Sequence, residues 1–213
     1  MANRLSQIAG KYMKKSIVCR KCRRAGEKLF LKGEKCLGAK CPFAKRAYAP
    51  GQHGAMRRRL SEYGMQLKEK QKAKHIFLLN EERFRKIYQD AMRQKGDSGL
   101  SLLKLLEMRL DNVVYRLGLA DSRRKARQMI THGHILVNGK KVDVPGLRLR
   151  IGDEVALAKN SIEKFSPKMS EKTVPEWLTL NSKTFSGKVA AEPIREQMES
   201  LIDESAIIEY YSR

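Results

Sequence analysis

No run of about 18 apolar residues occurs in the sequence, so we expect no membrane-spanning segment. The N-terminus contains lysines but lacks the apolar stretch of a secretory signal, which favours a cytoplasmic protein. Cysteines are reduced in that compartment, so a disulfide framework is not expected.

Acidic residues are scarce relative to basic ones. The 213 residues include 45 Lys and Arg against 23 Asp and Glu, which gives a net charge of +22. The excess is uneven, because residues 1–60 hold 17 basic and 2 acidic residues whereas residues 189–213 hold 2 and 6. A strong and uneven positive charge favours a positioned surface for a polyanionic partner over general solubility.

Only four cysteines occur, and all of them lie within residues 19–41. Cys19 and Cys22 are spaced C-x2-C, Cys36 and Cys41 are spaced C-x4-C, and thirteen residues separate the pairs. The short gaps let two thiolates converge on one ion, and the longer loop returns the chain to complete a tetrahedron. We therefore predict one Zn²⁺ bound by the four cysteines, with an iron–sulfur cluster as the alternative that the spacing leaves open.

The segment around these cysteines is poor in apolar side chains. Residues 19–41 contain too few large ones to offset the ordering of about twenty residues. A bound metal would supply the missing free energy. It would also display cations on a rigid knob, namely Arg20, Lys21, Arg23, Arg24 and Lys28.

Helical periodicity dominates residues 62–117. Residues 62–77 have the sparse apolar pattern of a surface helix, and Asn80 can cap a second helix that Gly96 ends. Leucines and valines then recur at helical spacing over residues 100–117, which predicts a buried helical face.

A short cationic helix is predicted over Ser122–Thr131. Ala126, Met129 and Ile130 recur at i, i+3 and i+4, so they share one buried face. Gly133 stands where a left-handed C-terminal cap is needed.

The helix has a cationic side, and a predicted hairpin follows the helix along the chain. Arg123 and Arg127 lie one turn apart, away from the predicted buried face. Ile135–Val137 and Lys140–Val142 are predicted strands, and Asn138-Gly139 supplies the two positive-φ positions of a type I′ turn. Alternation over residues 147–151 predicts a further strand.

Several of these motifs resemble a known RNA-binding module. They are Arg109-Leu110-Asp111-Asn112, Tyr115-Arg116, Ser122-Arg-Arg-Lys-Ala-Arg-Gln128 and His132-Gly-His134-Ile-Leu-Val-Asn138-Gly139. The resemblance is to the module named after ribosomal protein S-four, which also occurs in pseudouridine synthases and tyrosyl-tRNA synthetases. By itself the module implies RNA binding and leaves the parent protein open.

Further motifs extend the resemblance to residues 19–213. The four-cysteine knob, the loop Ala49-Pro-Gly-Gln-His-Gly54, the helix beginning near Leu67, the module and the Glu-Tyr-Tyr-Ser ending occur in this order in the bacterial ribosomal protein S-four family. The chain departs from the family at residues 1–18, which lack the usual Arg-Tyr-x-Gly-Pro segment.

The resemblance implies an α+β fold. It would comprise a basic arm and four-cysteine metal knob over residues 1–44, a helical domain over residues 45–97 plus 193–213, and an inserted RNA-binding module over residues 98–192. In that module, whose motif spans residues 108–157, helices would pack on a small, mostly antiparallel sheet. The residues alone leave the tail at 207–211 ambiguous, whereas the resemblance implies a helix that packs on the helices before Gly96.

The resemblance also implies a function and partners. It implies a cytoplasmic ribosomal protein that binds the 5′ domain of small-subunit (16S) ribosomal RNA and nucleates subunit assembly. It further implies a position beside ribosomal protein S-five, where messenger RNA enters the subunit, with a role in translational accuracy and no small-molecule substrate. The predicted RNA-contacting residues are Arg20, Lys21, Arg23, Arg24, Arg57, Arg58, Arg59, Lys68, Lys70, Lys72, Arg109, Arg116, Arg123, Arg124, Lys125, Arg127, His132, His134, Asn138 and Lys140.

Two other functions have less support in the sequence. Arg109-Leu110-Asp111 resembles a catalytic motif of pseudouridine synthases, but it lies inside an apolar-periodic helix and no separate catalytic domain accompanies it. No helix-turn-helix or Cys/His finger supports a DNA-binding regulator. The histidines lack partners at triad spacing, so we expect no enzyme, and His132 suits either a helix C-terminus or contact with a phosphate or 2′-hydroxyl.

Overall fold

The computed structural model describes residues 15–56, 59–162 and 174–213. The chain divides into two compact units, residues 1–60 and residues 61–213. Helices and one antiparallel sheet together confirm the predicted α+β class. None of the helices in the described part combines the length and the apolar character that crossing a membrane requires.

The first unit contains short helices around a small core. Helix α1 spans Lys15–Ala25, a 3-10 turn spans Gly33–Cys36, and helix α2 spans Pro42–Lys45. Gly26, at φ +75°, ends α1 by donating its N–H to the carbonyl of Cys22. The buried side chains are Val18, Cys22, Ala25, Leu29, Leu31, Cys36 and Cys41.

The second unit begins with five helices, of which four have a side-chain cap at the N-terminus, including the predicted cap at Asn80. The helices are α3 (Glu62–Ile76), α4 (Glu81–Met92), α5 (Ser98–Glu107), α6 (Leu110–Arg116) and α7 (Arg123–Thr131). Side-chain oxygens accept backbone N–H groups at the caps of α3, α4, α5 and α7, namely Ser61, Asn80, Asp97 and Ser122. The helical pattern of residues 100–117 is therefore two helices, which break at Met108 and Arg109.

The C-terminal segment forms helix α9, Glu204–Ser212, with Asp203 as its cap. It packs against α3 and α5. Its Tyr211 ring stacks on Tyr88 of α4 with the centroids 4.4 Å apart. The helix implied by the family resemblance is thus confirmed, in a segment whose own residues favour strand as much as helix.

In the part of the chain that the structure describes, five short strands form one sheet, in the order β2-β1-β3-β5-β4, with every pairing antiparallel. They are β1 (Ile135–Val137), β2 (Lys140–Lys141), β3 (Glu154–Leu157), β4 (Leu178–Asn181) and β5 (Ser186–Val189). A short helix α8, Lys159–Ile162, follows β3, and a 3-10 turn spans Arg195–Gln197. The main core lies between this sheet and helices α6 and α7, where Ala126, Met129 and Ile130 are at most 1% exposed, as predicted.

The strand predicted over residues 147–151 is wrong. That segment pairs with the turn ahead of α6 through a single bridge, between Arg109 and Arg148. Its hydrogen bonds run from Leu110 N to the Leu147 carbonyl and from Leu149 N to the Met108 carbonyl. The segment therefore pairs with the start of a helix, and this pairing is too short to form a strand of the sheet.

A charged cluster joins α3, α4 and α9. Glu81 Oε1 accepts hydrogen bonds from Lys70 Nζ and from the Tyr211 hydroxyl, each at 2.9 Å, and Lys74 binds its other oxygen. Burial alone would raise the pKa of Glu81, but the hydrogen bonds from Lys74, Lys70 and Tyr211 outweigh it and lower the pKa to about 2.

We predict that Glu81 contributes to acid sensitivity. Because its folded pKa of about 2 lies below its ordinary value of 4.5, its contribution is present above pH 4.5 and is lost as pH falls toward 2. Glu81 is half-exposed, so Glu81→Gln should lower the free energy of unfolding at pH 7 by only about 1 kcal/mol or less and flatten its fall between those pH values. Urea unfolding followed by Trp177 fluorescence measures both effects. Glu82→Gln, on the exposed side of the same turn, is the control, and an equal change in both variants would contradict the prediction.

Candidate nucleic-acid interface

Helix α7 leads into the sheet through a Schellman turn. Gly133 N donates to the carbonyl of Ile130 at 2.8 Å, and His134 N donates to the carbonyl of Met129 at 3.0 Å. Gly133 sits at φ +70°, which a residue without a Cβ adopts at least cost. The turn sets the exposed side of α7 next to the β1–β2 hairpin.

The hairpin turn is of the predicted type. Asn138 and Gly139 have φ +50° and +75°. The Asn138 side chain is tied to the start of β3, because its Nδ2 donates to Asp153 at 2.9 Å and its Oδ1 accepts Glu154 N at 2.9 Å. Asn138 was predicted to contact RNA, and the structure gives its amide an intramolecular, register-fixing role.

Exposed cations gather along α7 and the hairpin. We call Arg124, Lys125, Lys140 and Lys141 the cationic edge. Arg124, Lys140 and Lys141 are exposed. Lys125 is partly exposed, and its Nζ lies 2.8 Å from Asp121 Oδ2. Lys141 was not among the predicted RNA-contacting residues, although it directly follows Lys140 in the same run of basic residues.

Arg123 does not lie away from the buried face, as the helical spacing had suggested. Its side chain is 9% exposed, Nε donates to Asn112 Oδ1 at 2.7 Å, and Nη2 donates to Glu199 Oε2 at 2.7 Å. The guanidinium also lies over the rings of Phe77 and Tyr115, 5.1 and 4.7 Å from their centroids. Helical spacing could not indicate this role, because Glu199 lies 76 residues away along the chain.

Arg116 belongs to the same buried network. It donates through Nε at 3.1 Å and Nη2 at 2.8 Å to the two oxygens of Glu107, whose side chain is 1% exposed. Glu107 also accepts Asn112 Nδ2 and the backbone N–H of Glu199, the latter at 3.1 Å. Burial opposes the charged form of Arg116, but the carboxylates of Glu107 and Glu199 raise its pKa.

A second buried pair joins Arg109 and Asp111. The guanidinium donates to both carboxylate oxygens, at 3.1 and 2.8 Å, and both side chains are 5% exposed. Arg127 Nη1 lies 4.0 Å from the same carboxylate and donates to the Leu78 carbonyl at 2.7 Å. Burial lowers the pKa of Arg127, Asp111 opposes that effect, and nearby arginines add to it. Asp111 is thus buried and paired with Arg109, as expected for a residue with a structural role.

The predicted RNA-contacting lysines of α3 differ in exposure. Lys70 and Lys72 are buried, with Lys70 paired with Glu81 and Lys72 paired with Glu69 at 2.7 Å. Lys70 Nζ also lies 4.3 Å from the centroid of the Tyr210 ring. Lys68 is partly exposed. Only the last of the three lies on an accessible part of the helix.

The basic residues of the first unit also differ in exposure. Arg20 and Arg24 are exposed, and Lys21 is partly buried. Arg23 is held internally, because Nε donates to the Tyr48 carbonyl at 2.9 Å, Nη2 donates to the Ala49 carbonyl at 3.3 Å, and the guanidinium lies over the Tyr48 ring. Arg59 is exposed, whereas Arg57 and Arg58 fall outside the described residues.

The four cysteines form no disulfide with one another, and three of them are buried. The Lys32 N–H donates to Cys36 Sγ at 3.4 Å. Burial raises the pKa of Cys22 and Cys36, and the other nearby thiols raise it further. A set of four thiols fits Zn²⁺ or an iron–sulfur cluster chemically. Within the described ranges, no three His, Cys, Asp or Glu side chains are arranged to hold a metal ion.

The two predicted histidines lie side by side after α7. Their rings are parallel within 3°, with the centroids 6.1 Å apart. His132 is exposed, and His134 is partly buried with Nδ1 2.8 Å from Ser161 Oγ. Ser161 is 3% exposed, so the His134 ring is fixed to a buried group.

Comparison with known proteins decides the family. Residues 13–107 match the ribosomal protein S4/S9 N-terminal domain, and residues 108–155 match the S4 domain. Small ribosomal subunit protein uS4A of Clostridium botulinum (strain ATCC 19397 / Type A) is 52% identical over 198 residues, or 92% of this chain and 96% of the relative. The chain belongs to the ribosomal protein uS4 family. Proteins with the same name in Clostridium novyi (strain NT) and Clostridium acetobutylicum are also 52% identical, across 92% of this chain and 96% and 97% of theirs.

Membership in the uS4 family confirms the resemblance that the motifs had indicated. The S4-domain match at 108–155 coincides with most of the segment predicted at 108–157. It contains α7, the hairpin and the whole cationic edge. The uS4 relatives are named as ribosomal proteins, not as RNA-modifying enzymes.

We predict that the neighbouring arginines of α7 differ in their effects on stability. Arg123→Ala removes the partner of a largely buried carboxylate and of a buried amide, so it should lower the free energy of unfolding by about 3 kcal/mol. Arg124→Ala, which changes an exposed side chain one residue later, should change it by less than about 0.5 kcal/mol. Urea titrations followed by the fluorescence of the single tryptophan, Trp177, separate the two results. Equal stability of the two variants would show that the Arg123 contacts contribute nothing.

Proposed function

We propose that this uS4-family protein is a cytoplasmic, structural component of the small ribosomal subunit that binds small-subunit (16S) ribosomal RNA directly. The observation that carries the proposal is the exposed cationic edge within the residues that match the S4 domain. The net charge of +22 supports a polyanionic partner for that edge.

The proposed mechanism is electrostatic and geometric. Cations on α7 and on the hairpin are attached to a packed sheet–helix core, so their spacing is fixed before RNA arrives. RNA helices are recognised mainly through phosphates, 2′-hydroxyls and shape. A rigid set of cations therefore favours one arrangement of RNA strands over others, and this would let the protein nucleate subunit assembly at the 5′ domain.

The finer parts of the proposal concern the place of the protein in the subunit. A position beside ribosomal protein S-five, where messenger RNA enters, and a role in translational accuracy are supported by the family resemblance of residues 49–59. Arg59 is exposed and so is accessible to a passing strand. The alternative of an RNA-modifying enzyme has less support, because the carboxylate of Asp111 is buried and bound by Arg109.

We predict that Arg124→Glu with Lys140→Glu weakens binding to a transcript of the 5′ domain of small-subunit ribosomal RNA. Each lost phosphate contact should flatten the slope of log affinity against log salt by about 0.7–0.9. Folding should be unchanged, because both side chains are exposed. Filter binding at several salt concentrations measures the slope.

The matched control for this experiment is Arg124→Lys with Lys140→Arg, which keeps both charges and should retain most of the affinity. If the glutamate variant kept the affinity and the salt slope of the unchanged protein, the cationic edge would not be the RNA-binding surface.

We further propose that Cys19, Cys22, Cys36 and Cys41 hold one Zn²⁺, with an iron–sulfur cluster as the alternative. Support comes from the spacing of the cysteines and from the burial of three of them. The segment's small apolar core adds to this, because a metal would supply folding free energy that the side chains do not.

We predict that protein purified without chelators contains one equivalent of zinc by elemental analysis. Cys22→Ser should lose the metal and loosen residues 19–41, while Trp177 fluorescence and the second unit stay unchanged. Leu37→Ser, which changes an exposed side chain beside Cys36, is the control and should retain the metal. Iron with visible absorbance would select the cluster instead, and the absence of both metals would contradict the proposal.

A further inference from the structure

The histidine pair, His132 and His134, has a geometry that phosphate binding does not require. A point contact with a phosphate needs one donor nitrogen, and it does not need two rings held parallel within 3°. The Schellman turn at Gly133 brings the rings together, and Ser161 fixes the orientation of the His134 ring. The exposed His132 ring therefore rests beside a second ring of fixed orientation.

A lysine completes this feature. A Cβ placed on Gly133 would lie 2.0 Å from Cε and 2.8 Å from Nζ of Lys141. The Lys141 side chain thus runs across the glycine that separates the two histidines. The Lys141 ammonium therefore lies next to the glycine that directly follows the exposed His132. An unstacked nucleotide has the matching pair of groups, a base with a π-face and a phosphate.

From this arrangement we infer that His132 stacks on an unpaired RNA base while Lys141 binds the adjacent phosphate. The inference rests on the proposed function, and it adds a class of target, a single-stranded or bulged nucleotide, to the contacts that the cationic edge makes. Sequence-specific RNA recognition commonly uses such splayed-out bases on aromatic side chains. His134 acts as a positioning residue, because it backs the stacking ring and its own orientation is set by a buried hydroxyl.

The test compares three substitutions of His132 that separate stacking from charge. His132→Phe keeps a flat ring and removes the nitrogens, His132→Ala removes the ring, and His132→Lys supplies a cation without a ring. Affinities are measured for a transcript of the 5′ domain of small-subunit ribosomal RNA and for an oligoadenylate single strand. Met92→Ala, which removes an exposed side chain at the end of α4, is the control.

If the base stacks on His132, the Phe variant binds both RNAs within about 2-fold of the unchanged protein. The Ala and Lys variants both weaken binding by roughly 5-fold or more, as loss of one stacked base predicts. All variants should keep the unfolding midpoint, since the side chain is exposed. Met92→Ala should leave affinity unchanged.

Other outcomes separate the inference from the proposed function. Rescue by Lys and not by Phe would mean that His132 binds a phosphate, which overturns the inference and leaves the proposed function standing. Unchanged affinity in the Ala variant would overturn it as well. If the unchanged protein bound the transcript no better than oligoadenylate, the proposed function would fail, and the order of the three variants on oligoadenylate would still decide whether His132 stacks.

Discussion

The packing of much of the second unit depends on one buried carboxylate. Glu107 is fully buried, and an unpaired charge in such a place would cost several kcal/mol. Arg116 neutralises it, and Asn112 and the backbone N–H of Glu199 donate hydrogen bonds to it. Arg123 donates hydrogen bonds to the side chains of both Asn112 and Glu199. These residues come from α5, α6, α7 and the segment before α9, so the relative positions of four parts of the chain depend on one charge balance.

This network explains why a count of basic residues overstates the RNA-binding surface. Arg109, Arg116, Arg123, Lys70 and Lys72 were all predicted to contact RNA, and each is engaged with an acidic side chain of the protein. The acidic residues of the C-terminal region supply several such partners, including Glu199 for Arg123 and Glu204 for Arg195. The predicted residues of the cationic edge, Arg124, Lys125 and Lys140, in contrast stay exposed or partly exposed.

The features that the sequence predicted well are local ones. The Asn138-Gly139 turn, the cap at Asn80 and the buried face of α7 each follow from a few neighbouring residues. The features that it missed depend on partners distant along the chain. The residues around Arg123 do not indicate that its partner is Glu199. The alternation at residues 147–151 does not indicate that this segment pairs with the start of a helix. The helix at the C-terminus was obtained through family resemblance, since its residues alone suit either state.

The sequence separation between Arg123 and Glu199 also sets an order of events during synthesis. A ribosome adds about 5–20 residues per second, so the 76 residues between them take roughly 4–15 s to appear. Throughout that interval Arg123 of α7 lacks the carboxylate that it binds in the folded protein. Arg116 differs, because its partner Glu107 is made before it. Completion of this core therefore waits on translation itself.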